Sequence, residues 1–219
     1  MKPLAIVFDA YGTLFDVHSV VLSAGRGIPG NLRALSELWR RRQLEHTWLL
    51  SLMERYEDFS RVTESALRAS IRELSLEVSE GEIQRLLDAY LSPDSFPEVA
   101  AALESLKGIR LAILSNGTPR MIEAAVSHNR LTPFFQEIIS VDRVKTYKPS
   151  PRVYALGPAA LNIPAADILF VSSNAWDAAG AKAFGYRVCW CNRSGAAADD
   201  LGFPPDFTAS ALDRLPGLY

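Results

Sequence analysis

A chain of 219 residues, 48% of them hydrophobic, suits one large domain or a core carrying a smaller insertion. Its 23 basic and 25 acidic residues leave a net charge of −2, which excludes the basic face of a nucleic-acid or membrane-surface binder. The first apolar run is too short for a signal-peptide core or a membrane span, and Cys189 and Cys191 read as reduced core thiols, so a cytoplasmic protein is expected.

Residues 4–8 predict a buried strand that ends in one carboxylate, Asp9; Gly12 then supplies a tight turn and Thr13 a hydroxyl. Ligands of α/β sheets bind just past the carboxyl ends of strands. A lone Asp there, beside free backbone amides, is placed to act as a nucleophile. From about Val17 to Tyr90 no strand pattern follows. Leu35, Leu38, Trp39, Trp48, Leu49, Leu52, Met53 and Tyr56 recur at helical spacing, as do Ala66, Ile71 and Leu74, then Leu86, Leu87 and Tyr90. This block predicts an inserted helical cap over residues 17–94, hinged near residues 15–17 and 92–97. Residues 25–30 fit a dinucleotide fingerprint formally, but they follow no strand and contain Pro29, so they read as a cap turn.

Beyond the cap, strands are expected over residues 110–114, 137–141, 168–171 and 186–191. Helices are expected over 119–129, 151–161 and 177–184, several opening with Pro or Asp. The alternation predicts an α/β, Rossmann-like, doubly wound and mostly parallel sheet formed by residues 1–16 and 95–219. Residues 194–219 read as loops and short edge elements.

Four of these strands end in polar groups: Asp9; Ser115 and Asn116; Lys148; and Ser172, Ser173 and Asn174 with Asp177. One polar strand end is ordinary loop chemistry. Four in sheet order define a single crevice.

The blocks at residues 8–20 (FDAYGTLFDVHSV), 39–48 (WRRRQLEHTW) and 170–177 (FVSSNAWD) resemble those of the L-2-haloacid dehalogenases, within the haloacid dehalogenase superfamily. The resemblance runs in order along essentially the whole chain. Most of that superfamily are magnesium-dependent phosphatases with a second Asp two residues after the nucleophile and a Gly-Asp at the fourth motif. Here Tyr11 and Ser172-Ser173 stand in those places. Magnesium favours octahedral oxygen ligation anchored by carboxylates, so neither a metal nor another cofactor is expected, and Asp177 is better employed pairing with Lys148.

The resemblance implies hydrolysis of short L-2-haloalkanoic acids to D-2-hydroxy acids, through an ester on Asp9 and with inversion. It implies these roles. Ser115, with backbone amides near Ala10, Tyr11 and Asn116, holds the substrate carboxylate. Arg40 and the Asn116 side chain accept the halide. Lys148 orients and charge-balances Asp9. Ser172, Asn174 and Asp177 handle the hydrolytic water, while Thr13 and Tyr154 support the nucleophile. Tyr11, Leu44, Phe59 and Trp176 wall the alkyl group. It also implies a homodimer, to which the apolar richness of the cap adds.

Plainer readings stand beside these. On spacing alone an arginine triplet is a solvated helix face, Tyr154, Phe59 and Trp176 are core residues, and Asp177 opens its helix. Close relatives often carry Gln-Lys after the cap arginine; an inward Arg41 would make the pocket more cationic. His18, His46 and His128 have no triad context. The rival functions are an atypical phosphatase acting on a small phosphoester and a non-catalytic binding protein that keeps the fold.

Overall fold

The computed structural model describes residues 2–198 and 200–219. Its sheet contains β1 (Ala5–Phe8), β2 (Arg110–Ser115), β3 (Glu137–Ser140), β4 (Ile168–Ser172), β5 (Arg187–Cys191) and β6 (Phe207–Ala209). The order is β3-β2-β1-β4-β5-β6 with every pairing parallel, a doubly wound arrangement with β1 at its centre. β1 and β4 are buried along their whole length, as parallel strands with covered faces must be; this is why they read as unbroken apolar runs. β6 is the edge element expected near the end of the chain.

Register decides where the strand ends meet. Phe8 lies level with Ile113 of β2 and with Val171 of β4. The Asp9 amide donates to the Val171 carbonyl at 2.9 Å, so Asp9, Ser115 and Ser172 emerge from one edge of the sheet.

Between β1 and the helix α5 (Val99–Ser105) lie α1 (Ser19–Ala24), α2 (Leu32–Leu52), α3 (Phe59–Glu73) and α4 (Glu80–Ala89). Side chains fix their starts. Asn31 caps α2, Asp58 caps α3, and Ser79 forms a capping box with Glu82 on α4. The chain leaves and re-enters the sheet region side by side: the Asp16 amide donates to the Asp94 carbonyl at 2.8 Å and the Phe96 amide to the Leu14 carbonyl at 3.1 Å. Residues 25–30 form the loop between α1 and α2.

Leu49 and Leu52 on α2, and Met53 at its end, keep the expected helical spacing and face outward, 53%, 82% and 58% exposed. One expectation needs correction. The helix expected over 151–161 is two, α7 (Pro151–Tyr154) and α8 (Leu156–Leu161). Pro158 is the reason: it has no amide to give the Tyr154 carbonyl, and its ring crowds that oxygen. The carbonyl instead accepts the Tyr186 hydroxyl at 2.7 Å. Gly157 lets that tyrosine approach, since a Cβ there would sit 2.2 Å from its oxygen.

Two later helices complete the set, α6 (Pro119–His128), capped by Thr118, and α9 (Ala175–Phe184), which starts two residues earlier than expected, at the Asn174 cap position. Among the described residues no helix is long and apolar enough to cross a membrane. Cys189 and Cys191 are both buried free thiols.

Candidate active site

Asp9 is 6% exposed, and both its oxygens are held. Oδ1 accepts the Lys148 ammonium at 3.0 Å; Oδ2 accepts the Thr13 hydroxyl and the Asn174 side-chain amide, each at 2.9 Å. The turn that presents it is tight: the Ala10 carbonyl accepts the amides of Thr13, Leu14 and Phe15, and Gly12 takes a φ of 90° that favours glycine. Thr13 Oγ1 also accepts the Ser173 amide at 2.9 Å, which locks the turn to the end of β4.

Lys148 is fully buried and divides its donors between two carboxylates, reaching Asp177 Oδ2 at 2.9 Å. The other Asp177 oxygen accepts the Tyr154 hydroxyl at 2.7 Å. Asp177 is the third residue of α9, where a carboxylate also favours the helix dipole. Burial pulls the Lys148 ammonium down, but Asp177 and Asp9 outweigh it and hold the group above the ordinary lysine value. Burial raises the Asp177 carboxyl, with Lys148 opposing. The protonated ammonium is the fixed point of the cluster, because it bonds both carboxylates at once. Burial likewise keeps the Tyr154 phenol neutral.

The Lys148 amide donates to Asn116 Oδ1 at 3.1 Å, which joins the end of β2 to the cluster. Ser115 is fully buried and its hydroxyl accepts the Gly117 amide at 3.1 Å. Ser172 does the same for the Asn174 amide.

From the insertion, Arg40 on α2 reaches over the turn. Nη2 donates to the Tyr11 carbonyl at 3.0 Å and Nη1 to Gln43 Oε1 at 2.9 Å. Arg41 and Arg42 face away and pair with Glu45 and Glu73. Arg41 is 63% exposed on its side chain, so the pocket is not made more cationic by it. Tyr11 stacks between Phe59 and Tyr90, with centroids 5.8 and 5.6 Å away. Trp176 meets Trp48 edge-on at 5.4 Å, and the two line a cavity of about 460 Å³ with Lys148 and Tyr147. Leu44 is half-buried on α2.

The structure therefore gathers Asp9, Thr13, Lys148, Tyr154, Asn174, Asp177, Asn116 and Arg40 by direct bonds. It sets Ser115 and Ser172 at adjacent strand ends. Tyr11 and Phe59 are packed together. His46 lines a separate cavity with Leu49, Met53 and Arg61, and His18 bonds to Ser36, so neither histidine joins the cluster.

Two side chains that bear on the site were not singled out from the sequence. Arg193 donates to the carbonyls of Gly12 (3.3 Å) and Thr13 (2.9 Å) and to the Ser173 hydroxyl (2.8 Å). It pairs with Glu98 at 2.7 Å and stacks on Phe96, 3.9 Å from the ring centroid. It follows β5, so the strand-end rule that located the other groups points to it as well. Gln43 lies three residues beyond Arg40 on α2, a spacing that puts two helical side chains in reach of each other.

A carboxylate at the end of the central strand, with a lysine beneath it and a cation above its turn from a helical insertion, suits an α/β enzyme that uses covalent catalysis. A family model for haloacid dehalogenase-like hydrolases matches residues 3–185, and the chain belongs to that family. It is 49% identical over 216 residues to an (S)-2-haloacid dehalogenase of Pseudomonas sp. (strain YL), covering 98% of this chain and 93% of that one. It is 48% identical over 213 residues to haloacetate dehalogenase H-2 of Moraxella sp. (strain B), covering 96% and 95%. The L-2-haloacid dehalogenase of Xanthobacter autotrophicus, solved with chloropropionic acid covalently bound, superposes with a TM-score of 0.92 at 38% identity, covering 100% and 98%.

Magnesium, used by many members of the superfamily, does not fit these residues. It needs carboxylates free to ligate it, and both carboxylates of the crevice are bound to the Lys148 ammonium. Among the described residues no three His, Cys, Asp or Glu side chains converge as a metal site.

Proposed function

We propose that the protein hydrolyses short L-2-haloalkanoic acids to D-2-hydroxy acids and halide, with Asp9 as the nucleophile. One observation carries the reading. Asp9 is fixed by three donors while Arg40, poised over the same turn, has no carboxylate partner among the described residues. An anchored anion and an uncancelled cation suit a reaction in which one attacks carbon and the other receives the expelled anion.

The Asp9 carboxylate attacks C2 opposite the carbon–halogen bond. That bond breaks, its electron pair leaves with the halide toward Arg40 and Asn116, and an ester joins Asp9 to an inverted C2. The substrate carboxylate is held by Ser115 and backbone amides near Ala10, Tyr11 and Asn116. Tyr11, Leu44, Phe59 and Trp176 enclose the alkyl group. Water, positioned by Ser172, Asn174 and Asp177, then adds at the Asp9 carbonyl carbon. As the ester C–O bond breaks, one of the water's two protons ends on the departing alkoxide and the other leaves to solvent, so Asp9 returns as a carboxylate. Lys148 balances the carboxylate before attack and after release, with Thr13 and Tyr154 supporting the cluster.

Residues 17–94 act as the cap over a core of residues 1–16 and 95–219; the paired crossings at Asp16 and Phe96 support that division. The buried free thiols Cys189 and Cys191 suit the reducing cytoplasm. The exposed end of α2, with Leu49, Leu52 and Met53, offers a surface for a homodimer. Sedimentation at micromolar concentration checks this, and a monomer there discards it.

The deciding assay is chloride release from L-2-chloropropionate with excess EDTA, beside magnesium-supported hydrolysis of p-nitrophenyl phosphate. Chloride without phosphate is expected; magnesium-dependent phosphate release without chloride would establish a phosphatase instead. A single turnover in ¹⁸O-water is expected to label the Asp9 carboxylate.

A further inference from the structure

The uneven treatment of three adjacent arginines motivates this inference. Arg41 and Arg42 each pair with glutamates at the surface of α2, whereas both hydrogen-bonding arms of Arg40 end on neutral oxygens. One is the Tyr11 carbonyl, two residues beyond the nucleophile. The other is the amide oxygen of Gln43, a side chain with no exposed surface.

Gln43 is itself fastened on every side. Its oxygen accepts the Tyr90 hydroxyl at 3.0 Å as well as Arg40, and its nitrogen donates to Thr63 Oγ1 at 2.7 Å. The Thr63 hydroxyl in turn donates to the Phe59 carbonyl at 2.6 Å. These bonds join α2, α3 and the residue that ends α4, so the amide cannot rotate without breaking contacts in three elements. A buried amide so placed fixes the direction of a guanidinium. A carboxylate would fix it equally well but would also discharge it, because opposite charges at hydrogen-bond distance in a poorly solvated site interact strongly.

We propose that Gln43 is the positioning residue for Arg40: it aims the guanidinium at the halide while leaving its charge intact, and so sets how well the enzyme expels a poor leaving group. The proposal rests on the reading of Arg40 as the halide acceptor. Its signature is specific. Chloride leaves less readily than bromide and depends more on stabilisation of the developing anion, so a weakened or neutralised Arg40 penalises chloride more. A residue that merely holds the helices together would slow both substrates alike.

The test is single-turnover halide release, enzyme in excess, from L-2-chloropropionate and L-2-bromopropionate. Wild type is compared with Gln43→Glu and Gln43→Leu, and each variant is melted to confirm its fold. Gln43→Glu keeps the shape and both acceptor roles, so it decides the matter if Gln43→Leu does not fold. We expect chloride release to fall about ten-fold or more and the bromide-to-chloride rate ratio to rise at least about three-fold in a folded variant. An unchanged ratio, whether both rates fall together or neither moves, overturns the proposal. Wild-type protein that releases neither halide overturns the haloacid reading itself, and the two failures are told apart by that control.

Discussion

The strand-end crevice and the helical insertion hold their charges by opposite means. In the crevice, charge is held by charge: Lys148 lies buried between Asp9 and Asp177, and the Thr13 and Tyr154 hydroxyls and the Asn174 amide add to the set. In the insertion, Arg40 is held by neutral oxygens, among them a carbonyl and an amide, with no carboxylate partner among the described residues. The difference matches the two tasks of the proposed mechanism. A nucleophile that becomes an ester and is regenerated needs a fixed countercharge throughout, whereas a group that greets an anion for one step must start unpaired.

Breaking the crevice is expected to do the most. Asp9→Asn should abolish halide release, by at least about a thousand-fold, while the protein still folds, because Lys148 keeps its bond to Asp177 and asparagine still accepts from Thr13. Retained release would remove Asp9 from the nucleophile's role. Lys148→Met leaves two buried carboxylates facing each other. A loss of about 3–5 kcal/mol in stability is expected in a denaturant titration, together with at least about a hundred-fold in rate. The pH profile sharpens the same point. The Lys148 ammonium is held above its ordinary value of 10.5 in the folded protein, so what it contributes to stability is complete below 10.5 and fades only as pH climbs through the higher folded-state value. A rate profile should show no lysine-dependent decline up to that pH; a fall near neutrality that disappears in Lys148→Met would contradict it.

Arg193→Met tests the brace from outside the crevice. A decrease of about ten-fold in kcat with a smaller change in KM is expected if the brace serves the nucleophile's turn. A change confined to thermal stability would leave it a purely structural contact. Least affected should be Arg41→Gln, within about two-fold of wild type in steady-state assays, since an exposed pair contributes little. A large effect there would mean the whole arginine triplet acts on the substrate.

Local rules served well where the relevant physics was local. The strands are legible because buried parallel strands are unbroken apolar runs, and Asp9, Ser115, Ser172 and Asn174 follow because they sit at the ends of those runs. The direction of each arginine in the triplet was not legible from spacing. It depends on Glu73 being where α3 puts it and on Gln43 being held by Thr63 and Tyr90. The outward turn of Leu49, Leu52 and Met53 is invisible for the same reason: helical spacing identifies a stripe, but only the neighbouring elements decide how far it is covered. The break between α7 and α8 was legible in principle, because Pro158 announces it.

The Arg193 brace joins two ends of the chain's history. A ribosome releases the turn after Asp9 first, and the guanidinium that grips the Gly12 and Thr13 carbonyls emerges some 180 residues later. Domains form as units during translation, so a nascent chain carries its reactive carboxylate long before it can hold it in place. The turn that presents Asp9 is therefore completed by a segment translated long after it, and fragments stalled before residue 193 are expected to hold that turn without its brace.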